Sequence, residues 1–157
     1  MVAVTPLFER HEGLPDLASR FVEVDEIPWK PTPCEGIEMK VLMEDEETGM
    51  MTAMFKWAPG SKLTFHEHVE LEQTFVLEGS LVDDEGTVFA GNYVWRPAGS
   101  RHDAWGGPDG ALILSMFLKP NRFLGGKNDG IQYSRRDVLL VLVALQDACG
   151  LLGLVPE

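Results

Sequence analysis

Histidine and cysteine are both scarce in this chain of 157 residues, which contains four of the first and two of the second. Cys34 and Cys149 are too few for a disulfide framework and lie too far apart in sequence for a zinc knuckle. We therefore expect two reduced, buried thiols, as in a cytoplasmic protein.

A long apolar run and a surplus of basic residues are also lacking. No run approaches the ~18 apolar residues that a bilayer-spanning helix needs, and the N-terminus lacks the basic start and apolar stretch of a signal peptide. The chain carries 13 basic against 25 acidic residues, a formal net charge of −12. This balance predicts neither a nucleic-acid partner nor a membrane partner.

Short strands punctuated by glycine and proline are predicted from residue 36 to 118. The segments "IEMKVLME" and "GMMTAMFKWAPG" flank an acidic turn and are typical of a β-hairpin. Further strands follow about every 8–12 residues, with no alternation of strands and helices. The pattern predicts an all-β sandwich or barrel rather than a parallel sheet.

The two ends differ from this central region. Residues 1–35 are rich in proline and predict an N-terminal arm that packs on the barrel, with a short strand at 20–27. We expect the barrel itself to occupy residues 36–124 and a C-terminal helical extension to occupy 125–157, with all three parts forming a single domain.

The C-terminal extension contains one strong helix signal. Ser134 and Asp137 form a capping pattern before an apolar run that ends near Gly150. The β-branched residues of this run leave a strand as the alternative. A helix here would be apolar around nearly its whole circumference, so it must be buried against the barrel or a second subunit. Together with the arm, it predicts a homodimer.

Two of the four histidines stand two residues apart, as His66 and His68. On a strand both point to the same face while Glu67 points to the other. Glu72 begins the next apolar strand and can fold back toward the pair. Two imidazoles and one carboxylate suit Fe(II), Mn, Ni or Zn, whereas the alternative is a polar pair on an edge strand.

His102 adds a further imidazole, because it opens a later strand that an antiparallel arrangement would bring beside the first pair. Glu72 and His102 could also act as a general base without metal. Three imidazoles packed together without a cation would repel one another on protonation, so the metal site is the simpler hypothesis.

The spacing of these residues resembles the two motifs of the cupin superfamily. Gly60, five residues, His66-Glu-His68, three residues, Glu72, six residues and Gly79 match the first motif without a gap. Gly91, five residues, Pro97-Ala-Gly99, two residues and His102 match the second. The resemblance covers about residues 36 to 118. One position departs from it: Gly106 stands where the second motif usually ends in asparagine, which suggests more room or a drier pocket.

The resemblance implies an all-β cupin jelly-roll barrel in which His66, His68, Glu72 and His102 hold one divalent metal ion per chain. Fe(II) is favoured, with Zn, Ni and Mn as alternatives. Within the superfamily, the segment from His66 to His102 is similar to two groups. One is the cupin domain of zinc-binding anti-sigma factors, and the other is the single-domain dioxygenases that cleave acetylacetone or dihydroxyacetophenone.

The first functional hypothesis is a mononuclear metal-dependent dioxygenase that uses O₂ to cleave a C–C bond of a small diketone or aromatic ketone, with Glu72 and His102 in catalytic roles. A metal-dependent isomerase or lyase is its nearest alternative. The second hypothesis is a metal-binding sensor related to the anti-sigma factors. Those proteins carry a zinc-bound helical domain before the cupin, and the roughly 35 residues here are too short for one, which favours an enzyme.

Candidate pocket residues surround the ligands in sequence: Tyr93, Trp95, Arg101 and Trp105. Each is also compatible with a core or surface position. Arg101, directly before His102, could hold an anionic substrate at the rim of the pocket. Arg96 and Gln73 lie equally close in sequence, but Gln73 follows a ligand directly and so points away on a regular strand.

Overall fold

The computed structural model describes residues 3–124, which form a curled antiparallel sheet of ten strands shaped as a half-barrel. The all-β prediction is therefore confirmed. The strands are β1 (Ala3–Val4), β2 (Lys30–Pro31), β3 (Ile37–Asp45), β4 (Met50–Trp57), β5 (Lys62–Glu67), β6 (Glu72–Asp83), β7 (Gly86–Phe89), β8 (Tyr93–Arg96), β9 (Arg101–Phe117) and β10 (Arg122–Phe123).

The strand order along the sheet is β1-β3-β4-β9-β5-β10. Strand β2 pairs with β3, and β6 pairs with β7, β8 and β9. The hairpin predicted on either side of the acidic turn is confirmed, because Ile37 pairs with Trp57 at one end of β3–β4 and Asp45 with Met50 at the other.

Strand β9 connects the two halves of the sheet. Its first residues, from Arg101 to Trp105, pair with β5, and its last, from Ala111 to Phe117, pair with β4. The change of partner takes place at a glycine-rich bend. A Cβ on Gly106 would lie 2.6 Å from the Ala58 carbonyl oxygen, so only glycine allows this approach of the two backbones.

The main core lies inside the curl of the sheet and consists of alternate residues from several strands, together with Cys34 from the connection between β2 and β3. Side chains on one face of each strand meet here because successive residues of a strand point to opposite faces. The buried members are Cys34, Ile37, Trp57, Val76, Leu81, Ala104, Ala111 and Ile113.

The N-terminal residues 3–35 lie against this sheet. Ala3 pairs with Asp45 and Lys30 with Met39, so both short strands extend the sheet beside β3. Phe8 and Ile27 are buried. The strand expected at 20–27 is wrong: Val24–Glu26 forms a 3-10 turn, and the Val24 carbonyl accepts a hydrogen bond from the Lys40 ammonium group.

Some expectations fall beyond the described residues. The helix predicted from Ser134 to Gly150 lies outside them, and so does Cys149. The division into an arm at 1–35, a barrel at 36–124 and an extension at 125–157 stays a prediction. Within residues 3–124, no helix has the length and apolarity that crossing a bilayer requires.

We predict that Gly79→Ala destabilises the fold much more than Gly91→Ala. Both glycines have positive φ, +67° and +80°, so each alanine adds strain of about 1–2 kcal/mol. At Gly79 the new Cβ would lie 2.1 Å from the Gly110 carbonyl oxygen, which is a clash with the backbone. At Gly91 the new Cβ would have no atom within 4 Å. Urea unfolding should show a further loss of at least ~1 kcal/mol for Gly79→Ala. Equal losses in the two variants would contradict the prediction.

Candidate metal centre

The register of β5 and β9 brings two of the histidines together. His66 on β5 lies directly opposite His102 on β9. His68 follows the end of β5 and is held by the turn of the second motif: its backbone N–H donates to the Ser100 carbonyl, and its carbonyl accepts from the Gly99 N–H at 2.7 Å. The two sequence motifs therefore meet at one end of the sheet.

The three histidine rings form a compact buried cluster. One ring nitrogen from each of His66, His68 and His102 lies within 4.8 Å of the others. The Nε2 atoms of His68 and His102 are 2.9 Å apart. The three residues are almost inaccessible, with relative exposures of 1%, 0% and 8%. Among the described residues, these three histidines are the one cluster of His, Cys, Asp or Glu side chains close enough together to hold a metal ion.

Acceptor oxygens lie beside the Nδ1 atoms of all three rings. His66 Nδ1 is 2.9 Å from the Thr64 carbonyl oxygen. His68 Nδ1 is 3.0 Å from Glu72 Oε2, and His102 Nδ1 is 3.2 Å from Asp83 Oδ2. The two carboxylate contacts lie within ion-pair distance, but neither N–H is aligned for a hydrogen bond.

These oxygens determine which nitrogen is available for binding. An oxygen that can only accept favours a proton on Nδ1, which leaves the lone pair on Nε2. With this tautomer on His68 and His102, two lone pairs face each other at 2.9 Å. Two nitrogens bound about 2.1 Å from one metal ion at a right angle are about 3.0 Å apart. The donor set therefore fits a metal ion, which would satisfy one nitrogen of each ring at once.

Glu72 lies next to the cluster but contacts the side of His68 that faces away from the converging nitrogens. Its Oε2 also accepts a hydrogen bond from Asn121 at 2.9 Å, and its Oε1 accepts one from Thr74 at 3.2 Å. Burial alone would raise the pKa of Glu72, but His68, Asn121 and the Arg96 charge together lower it to about 2. The carboxylate is therefore ionised. Its place as a fourth ligand stays a prediction.

Two rings of the cluster, those of His102 and His66, resist protonation. Burial, followed by the Arg96 cation and the neighbouring His66 and His68 rings, lowers the pKa of His102 to about 4. Burial also lowers the pKa of His66. Both rings are thus in the neutral form that binds metal at physiological pH.

Comparison with known proteins places this site in a family. The model of the ChrR cupin-like domain matches residues 18–121. The chain belongs to the ChrR cupin-like family. No curated protein sequence matches it.

Solved structures support the cupin fold. A protein from Methylibium petroleiphilum PM1, described as a candidate acetylacetone dioxygenase, is 27% identical, with 82% of this chain and 96% of that chain covered and a TM-score of 0.70. An acetylacetone dioxygenase from Acinetobacter johnsonii is 22% identical, and the match covers 83% of this chain and 95% of that chain with a TM-score of 0.70. A chain from the complex of SigE with the anti-sigma factor ChrR from Rhodobacter sphaeroides is 20% identical. That match covers 60% of this chain and 50% of the other, with a TM-score of 0.52.

The four candidate pocket residues lie on the outer face of this cupin sheet. The Tyr93 hydroxyl donates to Gln73 Oε1 at 2.8 Å, and Trp95 pairs with the same residue across the strands. Lys62 stacks on the Trp105 ring, and Arg101 forms an ion pair with Glu67. The structure therefore does not bring these four side chains to the histidine cluster, and their pocket role stays a prediction without structural support.

Three polar residues beside the cluster were missed or left without a role by the sequence analysis. Asp83 closes the β6–β7 hairpin. It lies in a run of acidic residues, a pattern typical of a solvated turn, so nothing in the sequence indicated that its side chain is buried. Arg96 pairs with Glu72 across β6 and β8, so it points inward where its neighbour Trp95 points outward. Asn121 lies beyond the region that the motifs cover. The burial of Arg96 could have been inferred only from its register with Glu72.

Gly106 does not provide the extra room that its place in the second motif suggested. Any side chain there would collide with the Ala58 carbonyl oxygen, and the Gly106 N–H and C=O both bond to the loop after β4, to Ser61 and Gly60. Backbone fills this space instead of a pocket.

We predict that the metal-free protein loses stability as the pH falls from 7.5 to 5. The pKa of His102 is about 4 in the folded chain and about 6.5 when unfolded. The unfolded chain therefore binds more protons between these values, and stability present above pH 6.5 is lost towards pH 4. His102 alone should account for about 2 kcal/mol in urea unfolding between pH 7.5 and 5.

A His102→Asn variant provides the control, since removing the ring should reduce this slope. With Zn²⁺ bound the fall should be steeper, because protons then also displace the metal that stabilises the folded state. Identical pH dependence with and without Zn²⁺ would show that the metal does not bind through histidine.

Proposed function

We propose that this cupin is a mononuclear metal-dependent dioxygenase that cleaves a C–C bond of a small diketone or aromatic ketone. The observation that carries the proposal is the convergence of one ring nitrogen from each of three buried histidines, in a site where each Nδ1 faces an oxygen. We favour one Fe(II) per chain, with Zn, Ni and Mn as alternatives. O₂ would be the second substrate.

Similarity supports this choice among the functions of metal-binding cupins. The Methylibium protein described as a candidate acetylacetone dioxygenase is related in sequence over most of both chains. Three histidines suit iron, copper, nickel and zinc alike, so the donor set by itself does not choose the metal.

The charges around the site favour a substrate that carries a single negative charge. A metal ion bound here would act as a Lewis acid and as a template for a chelating substrate. The three histidines are neutral donors, Glu72 contributes one negative charge, and the Asp83–Arg96 ion pair cancels internally. A divalent site would thus carry a net charge of +1, and the enolate of a diketone would neutralise it. Uncompensated charge is costly in so buried a place.

We assign catalytic roles to Glu72 and His102. Glu72 is ionised and lies 3.0 Å from His68 Nδ1, so it can direct the ring and hold a proton at that atom. His102 presents Nε2 to the cluster from β9. The near-complete burial of the rings excludes water, which strengthens every electrostatic interaction within the site.

The test is metal analysis of anaerobically purified protein followed by oxygen uptake. We expect one divalent metal ion per chain and consumption of one O₂ per molecule of acetylacetone or of a hydroxylated aromatic ketone. A dioxygenase would place both oxygen atoms in the two fragments, which ¹⁸O₂ labelling measures. Turnover without O₂ uptake would favour the isomerase or lyase, and metal binding without turnover of either substrate would contradict the proposed dioxygenase.

Two variants separate binding from catalysis in the same assay. His66→Ala should lose metal and activity together, because it removes one of three converging nitrogens. Glu72→Gln preserves size but raises the net charge of the site, so it should retain some metal and lose turnover far more than occupancy. Undiminished metal content and turnover in Glu72→Gln would show that the carboxylate has no functional role.

A metal-binding sensor is the second candidate. The family model is that of the ChrR cupin-like domain, and half of one chain in the complex of SigE with the anti-sigma factor ChrR is similar in fold to this chain. This function predicts that the chain binds metal but consumes no O₂. The same experiment therefore decides between the two candidates.

We infer that the chain forms a homodimer through the outer face of the sheet formed by β6 and β8. Phe75 pairs with Tyr93, and Gln73 with Trp95, on this face. Phe75, Leu77, Tyr93 and Trp95 have exposures of 37%, 40%, 47% and 58%. An apolar patch of this kind is typical of an interface.

Light scattering tests the assembly. We expect about twice the chain mass of 17.4 kDa at micromolar concentration. Trp95→Lys should shift the equilibrium towards monomer, because it places a charge in the patch. Leu17→Lys is the matched control, since Leu17 is fully exposed on the N-terminal arm. A stable wild-type monomer, or equal effects of both variants, would contradict the dimer.

A further inference from the structure

Asp83 is held in one orientation by the turn that it closes. It is the last residue of β6 and pairs with Gly86 at the start of β7. Its Oδ1 accepts hydrogen bonds from the backbone N–H groups of Glu85, at 2.9 Å, and Gly86, at 3.0 Å. The carboxylate cannot rotate without breaking both of them, so the position of its second oxygen is fixed.

The second oxygen faces the histidine cluster. Asp83 Oδ2 lies 3.2 Å from His102 Nδ1 and also accepts a hydrogen bond from the Arg96 guanidinium group. The side chains of Asp83, Arg96 and His102 are each only 8–9% exposed. Three polar groups are thus brought together by the β6–β7 hairpin, β8 and β9.

This placement determines the tautomer of His102. A neutral imidazole carries its proton on one nitrogen only. A lone pair on Nδ1 would face the carboxylate and be repelled, whereas an N–H at the same place is attracted. The preference is electrostatic and does not need a linear hydrogen bond, and it is strengthened by burial. The proton therefore stays on Nδ1 and the lone pair on Nε2, the atom that lies 2.9 Å from His68 Nε2.

Arg96 completes the arrangement by balancing charge. An ionised carboxylate with no partner in this buried position would be strongly unfavourable, and so would an unpaired guanidinium beside a metal ion. As an ion pair, the two leave the electrostatic environment of the site nearly unchanged while still fixing the orientation of His102.

We propose that Asp83, oriented by the β6–β7 turn and neutralised by Arg96, is a positioning residue that makes Nε2 of His102 the metal-binding atom. The proposal rests on the metal site proposed above and adds to it a residue that no cupin motif contains. It also means that the hairpin turn and the metal centre are mechanically connected through one carboxylate.

Asp83→Asn tests this inference while preserving the turn. The two backbone donors require an oxygen at the Oδ1 position, so the amide nitrogen must take the place of Oδ2. That nitrogen would donate to His102 Nδ1 and favour a proton on Nε2. Asp84→Asn is the matched control, because Asp84 is the exposed neighbour in the same turn and loses the same charge.

The decisive readout is the tautomer of His102 in metal-free protein, from long-range ¹H–¹⁵N spectra of chains labelled with ¹⁵N-histidine. Wild type and Asp84→Asn should carry the proton on Nδ1, and Asp83→Asn should carry it on Nε2. Zn²⁺ affinity, measured by competition with a chelator, should fall about 10–100-fold in Asp83→Asn only.

A double variant separates positioning from folding. Asp83→Asn with Arg96→Gln removes the unpaired buried cation, so it should recover stability without recovering the tautomer or the Zn²⁺ affinity. An unchanged tautomer in folded Asp83→Asn would overturn the proposal, and so would recovery of both properties in the double variant. Wild type that binds no Zn²⁺ would instead refute the metal site, because the tautomer is read without metal.

Discussion

The antiparallel pairing of β5 with β9 is the constraint on which the site depends. It sets His66 opposite His102 and thereby determines which face of each strand receives imidazoles. A shift of one residue would move His102 to the outer face and replace it with Arg101 or Asp103, because side chains alternate along a strand. The cluster therefore requires the register to be specified over the whole of the long strand β9.

The glycine-rich bend in β9 secures that register. Before the bend the strand pairs with β5, and after it with β4, so the candidate metal-binding residue His102 and part of the apolar core lie on one continuous strand. Gly106 and Gly110 allow the end of β4 and the loop after it to approach within distances that a Cβ would block. Close packing at this corner favours the observed alignment of the two halves of the sheet.

Buried charge is the second requirement, and it is met by pairs rather than by single groups. Glu72 lies against His68 and Asn121, while Asp83 lies against Arg96 and His102. Each carboxylate is ionised in a place where burial alone would raise its pKa. Such networks are stable only when every member has a partner, which explains why the inner polar residues lie around the histidines.

The sequence by itself determined the β class, the β3–β4 hairpin and the histidine pair, because alternation, turn residues and motif spacing are local properties. It could not determine the roles of Asp83 and Arg96, or place Tyr93 and Trp95 on the outer face. Those outcomes depend on which strand pairs with β6 and in which register. The residues around Asp83 in sequence are those of a solvated turn. The turn lies beside His102 only because the sheet is curled, and this position buries the Asp83 side chain against the histidine ring.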